Sequence, residues 1–142
     1  MKMLHAIPAM PVRDMSRGTA FYRDQLGFTV GYHDTAFSIV RRDAVEIHLW
    51  GTTDEGWRTL EKTSENTSRW PVISGAESFI AGTASCRVGV QGVDDLYEMV
   101  QPLGIVHPNG SLRDTDYGTR EFGVLDPDGN LITFFERPAD GA

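Results

Sequence analysis

The feature that most restricts how this chain folds is a repeat within its 142 residues. At an offset of 85, Phe37 falls on Phe122, Ile39 on Val124, Val40 on Leu125, Asp43 on Asp128 and Ile47 on Ile132. Each matched run follows a stretch with helical signals. Ser16 is the expected N-cap of a helix carrying Phe21, Tyr22 and Leu26 on one side and stopping at Gly27. Asp94 is the expected cap of a second helix, with Leu96, Tyr97 and Val100, that stops near Leu103 before Gly104. A duplicated unit of about 60 residues buries too little surface alone, so the two copies are expected to share one core.

Around the helices the strand signals fall into order. Leu4 to Val12 reads as an opening strand, and Pro8 and Pro11 place it at an edge. Phe28 to His33, Phe37 to Arg41 and Val45 to Trp50 follow, and in the last Val45, Ile47 and Leu49 alternate with Glu46, His48 and Trp50. Ser85 to Gln91 opens the second copy, with Cys86, Val88 and Val90 on one face. The expected class is therefore α+β: a single domain over 1–142 with one βαβββ repeat at 1–50 and another at 84–138. Curved mixed sheets are expected to enclose a cup. Between the repeats, 51–83 reads as a long connection with a short helix near Asp54 to Lys62, and Trp57 and Trp70 are candidates to hold it down.

Composition excludes several classes of function. A net charge of −7 and no basic cluster beyond Arg41-Arg42 argue against nucleic acid, whose affinity comes largely from cationic contacts. The same charge favours a cationic ligand. No run is long and apolar enough to span a membrane, and Met1-Lys2-Met3-Leu4-His5 lacks the apolar stretch of a secretory signal, so the expected location is the cytoplasm. The lone Cys86 forms no internal disulfide, rules out Cys-rich zinc sites, and by strand parity is a buried, inert thiol. No phosphate loop, G-x-S-x-G or H-E-x-x-H motif is present.

Val12-Arg13-Asp14, Ala20-Phe21-Tyr22 with Leu26-Gly27-Phe28, and Leu125-Asp126-Pro127-Asp128-Gly129-Asn130 resemble the vicinal oxygen chelate superfamily. Within it, the runs Arg41 to Trp50 and Glu77 to Val90 look most like bleomycin-resistance proteins. The resemblance implies a homodimer in which halves of two chains complete each cup, with the strand at Leu4 to Val12 as the exchanged or edge element. Asp126-Pro127-Asp128-Gly129 also has a plain structural reason, as a turn in which proline sets φ and glycine accepts positive φ.

Enzymes of that superfamily hold a divalent ion with His and Glu side chains. Carried over by the motifs, their ligand positions here read Ile7, Ser85, His48 and Thr133, of which only His48 ligates a metal well. Glu46, near His48, is expected to point to the opposite strand face, and Glu136 likewise differs in parity from Thr133. No metal, no cofactor and no catalytic residue is therefore expected, which favours a non-catalytic binding protein.

The expected ligand is a small aromatic, cationic antibiotic of the bleomycin type, sequestered without turnover. His48 and Trp50 share a strand face that lines the cup. By resemblance, Phe37 and Tyr117 supply further aromatic surface, with Asp116 and Arg120 beside Tyr117; Glu46, Asp114 and Asp116 are candidates to face a cationic tail. Arg120 pairing with Asp116 or Glu121 is the alternative to ligand contact. A metal-dependent glyoxalase-like lyase or isomerase, or a dioxygenase, is the alternative function, and a metabolite-binding module a third.

Overall fold

The structure, a computed structural model, describes residues 1–52 and 81–138. In the first half β1 (Ala9–Val12), helix α1 (Met15–Ala20), β2 (Thr29–His33), β3 (Phe37–Arg42) and β4 (Val45–Gly51) follow one another. The second half contains β5 (Ser85–Gly89), α2 (Val93–Val100), β6 (Arg113–Asp114), β7 (Arg120–Leu125) and β8 (Leu131–Glu136). Each half is a four-stranded mixed sheet, in the orders β1-β4-β3-β2 and β5-β8-β7-β6. The opening strand pairs parallel to the last, and the other pairings are antiparallel. This is the α+β architecture expected from the duplicated pattern. The expected connecting helix, Trp57 and Trp70 lie outside the described residues.

Alternation along the strands sends one face of each sheet inward. Met10, Val12, Val40, Ile47 and Leu49 from the first sheet and Val88, Phe122, Val124, Ile132 and Phe134 from the second are buried in one cluster, together with Phe21 and Tyr22 from the first helical segment. Tyr22 stands edge-on to both Phe21 and Phe28, at 5.3 and 5.9 Å between ring centroids. Edge-to-face pairs of this kind each add about 0.5–1.5 kcal/mol beyond their burial.

Several local expectations change. The strand at Leu4 to Val12 shortens to Ala9–Val12: Pro8 lacks the N–H group a ladder needs and the chain before it is exposed, while Pro11 is accommodated inside this edge strand, level with Trp50. Asp14, not Ser16, caps α1, its carboxylate accepting the Arg17 N–H at 3.0 Å. The helix then widens into a π-type turn over Phe21–Gln25 and ends at Gly27, where φ is 74°. Nor is Asp94 the cap of α2. Gly92 holds that position, and the Glu136 carboxylate on β8 accepts the N–H groups of Gly92 and Val93 at 3.0 and 3.1 Å. A residue distant in sequence thus supplies what an N-cap side chain ordinarily does.

The repeat also needs a correction of one residue. Val40 pairs with Ile47 in the first hairpin and Val124 with Ile132 in the second, so the second turn is one residue longer between equivalent core pairs. The offset of 85 therefore holds for Ile47 and Ile132 but flips the preceding strand. Phe122 is core and corresponds to buried Ser38, whereas Phe37 lies on the other face.

The longer turn joins the halves. Asn130 is fully buried: its Nδ2 donates to the Pro11 carbonyl at 2.7 Å and to Asp126 Oδ2 at 2.9 Å, and its Oδ1 accepts the Gly82 and Ala84 N–H groups at 3.0 and 3.3 Å. Asp128 Oδ1 accepts the Arg13 N–H at 3.1 Å and meets the Arg13 and Arg17 guanidinium groups at 3.3 and 3.5 Å.

Candidate ligand-binding faces

The face of each sheet turned away from the shared core carries the candidate site residues. In the first sheet Phe37 pairs across the ladder with Trp50 and Ile39 with His48, so all four side chains project together. The Phe37 ring lies 5.1 Å from His48 and 5.1 Å from Trp50 between centroids, edge-on to both, and Tyr32 extends the group at 6.0 Å from Phe37. Trp50 remains 46% exposed, leaving a large apolar surface open to a ligand.

Glu46 belongs to this face as well, contrary to the expectation that it points away. Residues two apart on a strand share a face, and Glu46 stands two before His48. Its Oε2 lies 2.8 Å from His48 Nε2, and its Oε1 accepts Arg41 Nε at 2.6 Å. The hydrogen bonds from His48 and then Arg41 hold the Glu46 carboxyl below its ordinary range. The aromatic group therefore sits beside an ionised carboxylate.

The open face of the second sheet has different chemistry. Glu121 is almost fully buried and accepts three hydrogen bonds: from Arg87 Nη2 at 2.6 Å, the Tyr117 hydroxyl at 2.6 Å and Thr119 Oγ1 at 3.0 Å. Burial alone raises its pKa, but these three donors outweigh it and leave the carboxyl below its ordinary range. Arg87 also lies over the Phe135 ring at 4.7 Å. Tyr117 itself is mostly exposed.

The structure therefore brings Phe37, His48 and Trp50 together and sets Tyr117 on the open face of the other sheet. Arg120 takes other partners than Tyr117 does. Its parity matches Phe122, so it turns toward α2 and pairs with Asp94 at 2.8 Å and Asp114 at 3.2 Å, rather than with Asp116 or Glu121. Asp116 is exposed in the turn before β7. Arg87 and Glu121 were not singled out in the sequence as a site pair. Strict alternation from Phe122 and Val88 was the available signal, since each precedes or follows a core residue by one position.

The positions that hold metal in the superfamily's enzymes do not fit a metal here. Ala9 lies level with His48 and Arg87 with Thr133 across the parallel ladders, so a methyl group and a guanidinium occupy the neighbouring strand positions. Ile7 is exposed ahead of β1, and Ser85 stands opposite Leu131. Among the described residues no three His, Cys, Asp or Glu side chains gather where they could hold an ion. Cys86 is equally unsuited to nucleophilic chemistry, its thiol pushed up to about 11 by burial and then by Asp126.

The model of the Glyoxalase/Bleomycin resistance protein/Dioxygenase superfamily matches residues 2–134. A bleomycin resistance protein of Geobacillus stearothermophilus is 51% identical over 135 residues, 95% of this chain and 98% of its own length, and one from Staphylococcus aureus matches equally. Among solved structures, the bleomycin-binding protein of Streptomyces verticillus complexed with copper(II)-bleomycin superposes with a TM-score of 0.66 at 23% identity, over 94% of this chain and 96% of that one. The resistance determinant encoded on transposon Tn5 gives 0.67 at 20% identity, over 95% and 98%. The duplicated mixed sheets and the match along nearly the whole sequence place this chain in the Glyoxalase/Bleomycin resistance protein/Dioxygenase superfamily.

Proposed function

We propose that this protein binds bleomycin-type antibiotics and sequesters them without chemical change. The observation that carries this reading is the 51% identity to bleomycin resistance proteins over 95% of the chain. The open faces suit such a ligand. Phe37 and Trp50 offer aromatic surface to a flat group, and the overall charge of −7 favours a cation, while Glu46 is paired with Arg41 and His48. His48 borders the same surface, and Tyr117 supplies a second aromatic wall from the other sheet. Asp116, exposed and without a hydrogen bond or ion pair among the described residues, is placed to meet a cationic tail, while Arg120 acts indirectly, through Asp94 and Asp114.

The two faces form one cup in this reading when a second copy supplies the missing wall, which makes the functional unit a homodimer. No membrane and no nucleic acid takes part, and the cytoplasm is the compartment in which such sequestration protects a cell. Among the described residues no helix is long and apolar enough to cross a membrane.

Titration with bleomycin is the test. Tryptophan fluorescence is expected to quench, binding to weaken as salt screens the charges, and Trp50→Ala to cost roughly 1–3 kcal/mol, as loss of an aromatic anchor does. The antibiotic is expected back unaltered. Absence of both calorimetric heat and a fluorescence change would remove this ligand. A chemically modified product, or about one tightly held divalent ion per chain by elemental analysis, would favour the lyase or dioxygenase reading instead.

A further inference from the structure

The two contacts between a hairpin turn and the opposite half are related by the internal repeat, yet they differ in kind. In one, the turn Asp126 to Asn130 of the second half meets β1 and α1 of the first. Asn130 reaches the Pro11 carbonyl, and the Arg13 and Arg17 guanidinium groups both meet Asp128. That contact is closed.

In its counterpart, the shorter turn Arg42 to Val45 faces β5 and α2 and leaves a cavity of about 500 Å³. Phe28, Val45, Val88 and Leu96 contribute apolar walls, and Asp43 and Asp95 also line it. The equivalences follow from the ladders and helices. Met10 is level with Leu49 as Val88 is with Phe134, and Met15 opens α1 as Val93 opens α2. Arg17 and Gly18 therefore correspond to Asp95 and Leu96. Where the closed contact sets a cation against the turn's carboxylate, the open one has carboxylates at both equivalent positions, Asp95 on α2 and Asp43 in the turn, each lining the cavity. Neither forms a hydrogen bond or ion pair among the described residues. Arg42 also lines the cavity, but its Nη1 donates to the Leu26 carbonyl at 2.7 Å, which ties it to the end of the first helical segment.

We propose that this cavity is a second small-molecule site, separate from the open sheet faces, which takes a small organic cation with an apolar body. The apolar walls receive the body, and the charged group takes the place between Asp43 and Asp95 that Arg17 fills beside Asp128 in the other half. The volume is that of an ordinary small-ligand pocket, about 300–1,000 Å³. Two carboxylates, Asp43 and Asp95, against the one guanidinium of Arg42 leave the lining net negative, which favours a cation over a neutral or anionic molecule.

Benzylammonium, with benzyl alcohol as its neutral counterpart, tests the assignment on the full chain by amide NMR. Saturable shifts are expected at Asp43 to Val45 and Val88 to Gly92, weaker for the alcohol. Asp43→Asn combined with Asp95→Asn is expected to lower benzylammonium affinity roughly three- to tenfold, the size of two lost charge contacts at a rim, and to leave bleomycin binding unchanged. A bulky Leu96→Trp fills the cavity and is expected to abolish the shifts. Equal binding of alcohol and cation, shifts confined to the open sheet faces, or no shifts at millimolar concentration would each overturn the proposal. So would contacts showing that the amino-terminal residues of a second copy, which carry Lys2, His5 and exposed Met1 and Met3, already fill the cavity.

Discussion

Single side chains in this protein are governed by strand parity before anything else. Glu46 and His48 sit two apart and meet, Arg120 and Glu121 sit one apart and serve opposite faces. Glu121 is the residue whose environment is most demanding. An almost fully buried carboxylate persists only because Arg87, Tyr117 and Thr119 all donate to it. Its folded pKa lies below the ordinary value, so the stability it contributes is complete above the ordinary glutamate range, about 4.3, and is lost as pH falls through the lower folded value. Glu121→Gln should therefore be less stable than the parent at neutral pH, with the difference shrinking as the solution is acidified below about pH 4. Denaturation curves measured across that range decide it; a difference that stays constant would show that the three donors do not depend on the charge.

At the scale of elements, the turn between β7 and β8 does more than reverse the chain. Proline and glycine in Asp126-Pro127-Asp128-Gly129 account for the reversal, with Gly129 at a φ of 90°. The one additional residue brings Asn130 into the interior, where it bonds to β1, to its own turn and to the segment leading into β5. Asn130→Ala leaves the Pro11 carbonyl and two N–H groups short of partners. A loss of about 2–4 kcal/mol is expected in urea unfolding, since each buried group left unpaired costs about 1–3 kcal/mol and some regain water. A loss under about 0.5 kcal/mol, the level of an ordinary surface change, would mean the turn closes without its help.

For the molecule as a whole, the two open faces set the expectation. Aromatic surface lies on one sheet and the Arg87–Glu121–Tyr117 cluster on the other, and each is a wall rather than an enclosure. Large apolar groups at Met1, Met3, Leu4, Ile7, Trp50 and Tyr117 are exposed in a single chain. A homodimer is expected to cover part of this surface, with a mass in light scattering of twice the 15.7 kDa chain at micromolar concentration. A single-chain mass there would leave the ligand facing an open sheet, and the bleomycin affinity should then be weak.

The class of fold and most of the core are legible in the residue pattern. Period-two patterning commits Ile47, Leu49, Val88 and Ile132 inward whatever their neighbours, and the repeat of strand, helix and strands requires two similar halves. The aromatic group at Phe37, His48 and Trp50 was legible for the same reason, because turn and alternation fix which residues of one hairpin stand side by side. What crosses between segments follows from the assembled fold and from nothing local. Glu136 capping α2, Arg120 turning to Asp94, Arg87 meeting Glu121 and Asn130 reaching Pro11 join residues between 26 and 119 positions apart. No local preference encodes such a pairing. It exists because packing two sheets on one core leaves particular polar groups buried, and each buried group must find its partner among whatever the fold has brought near.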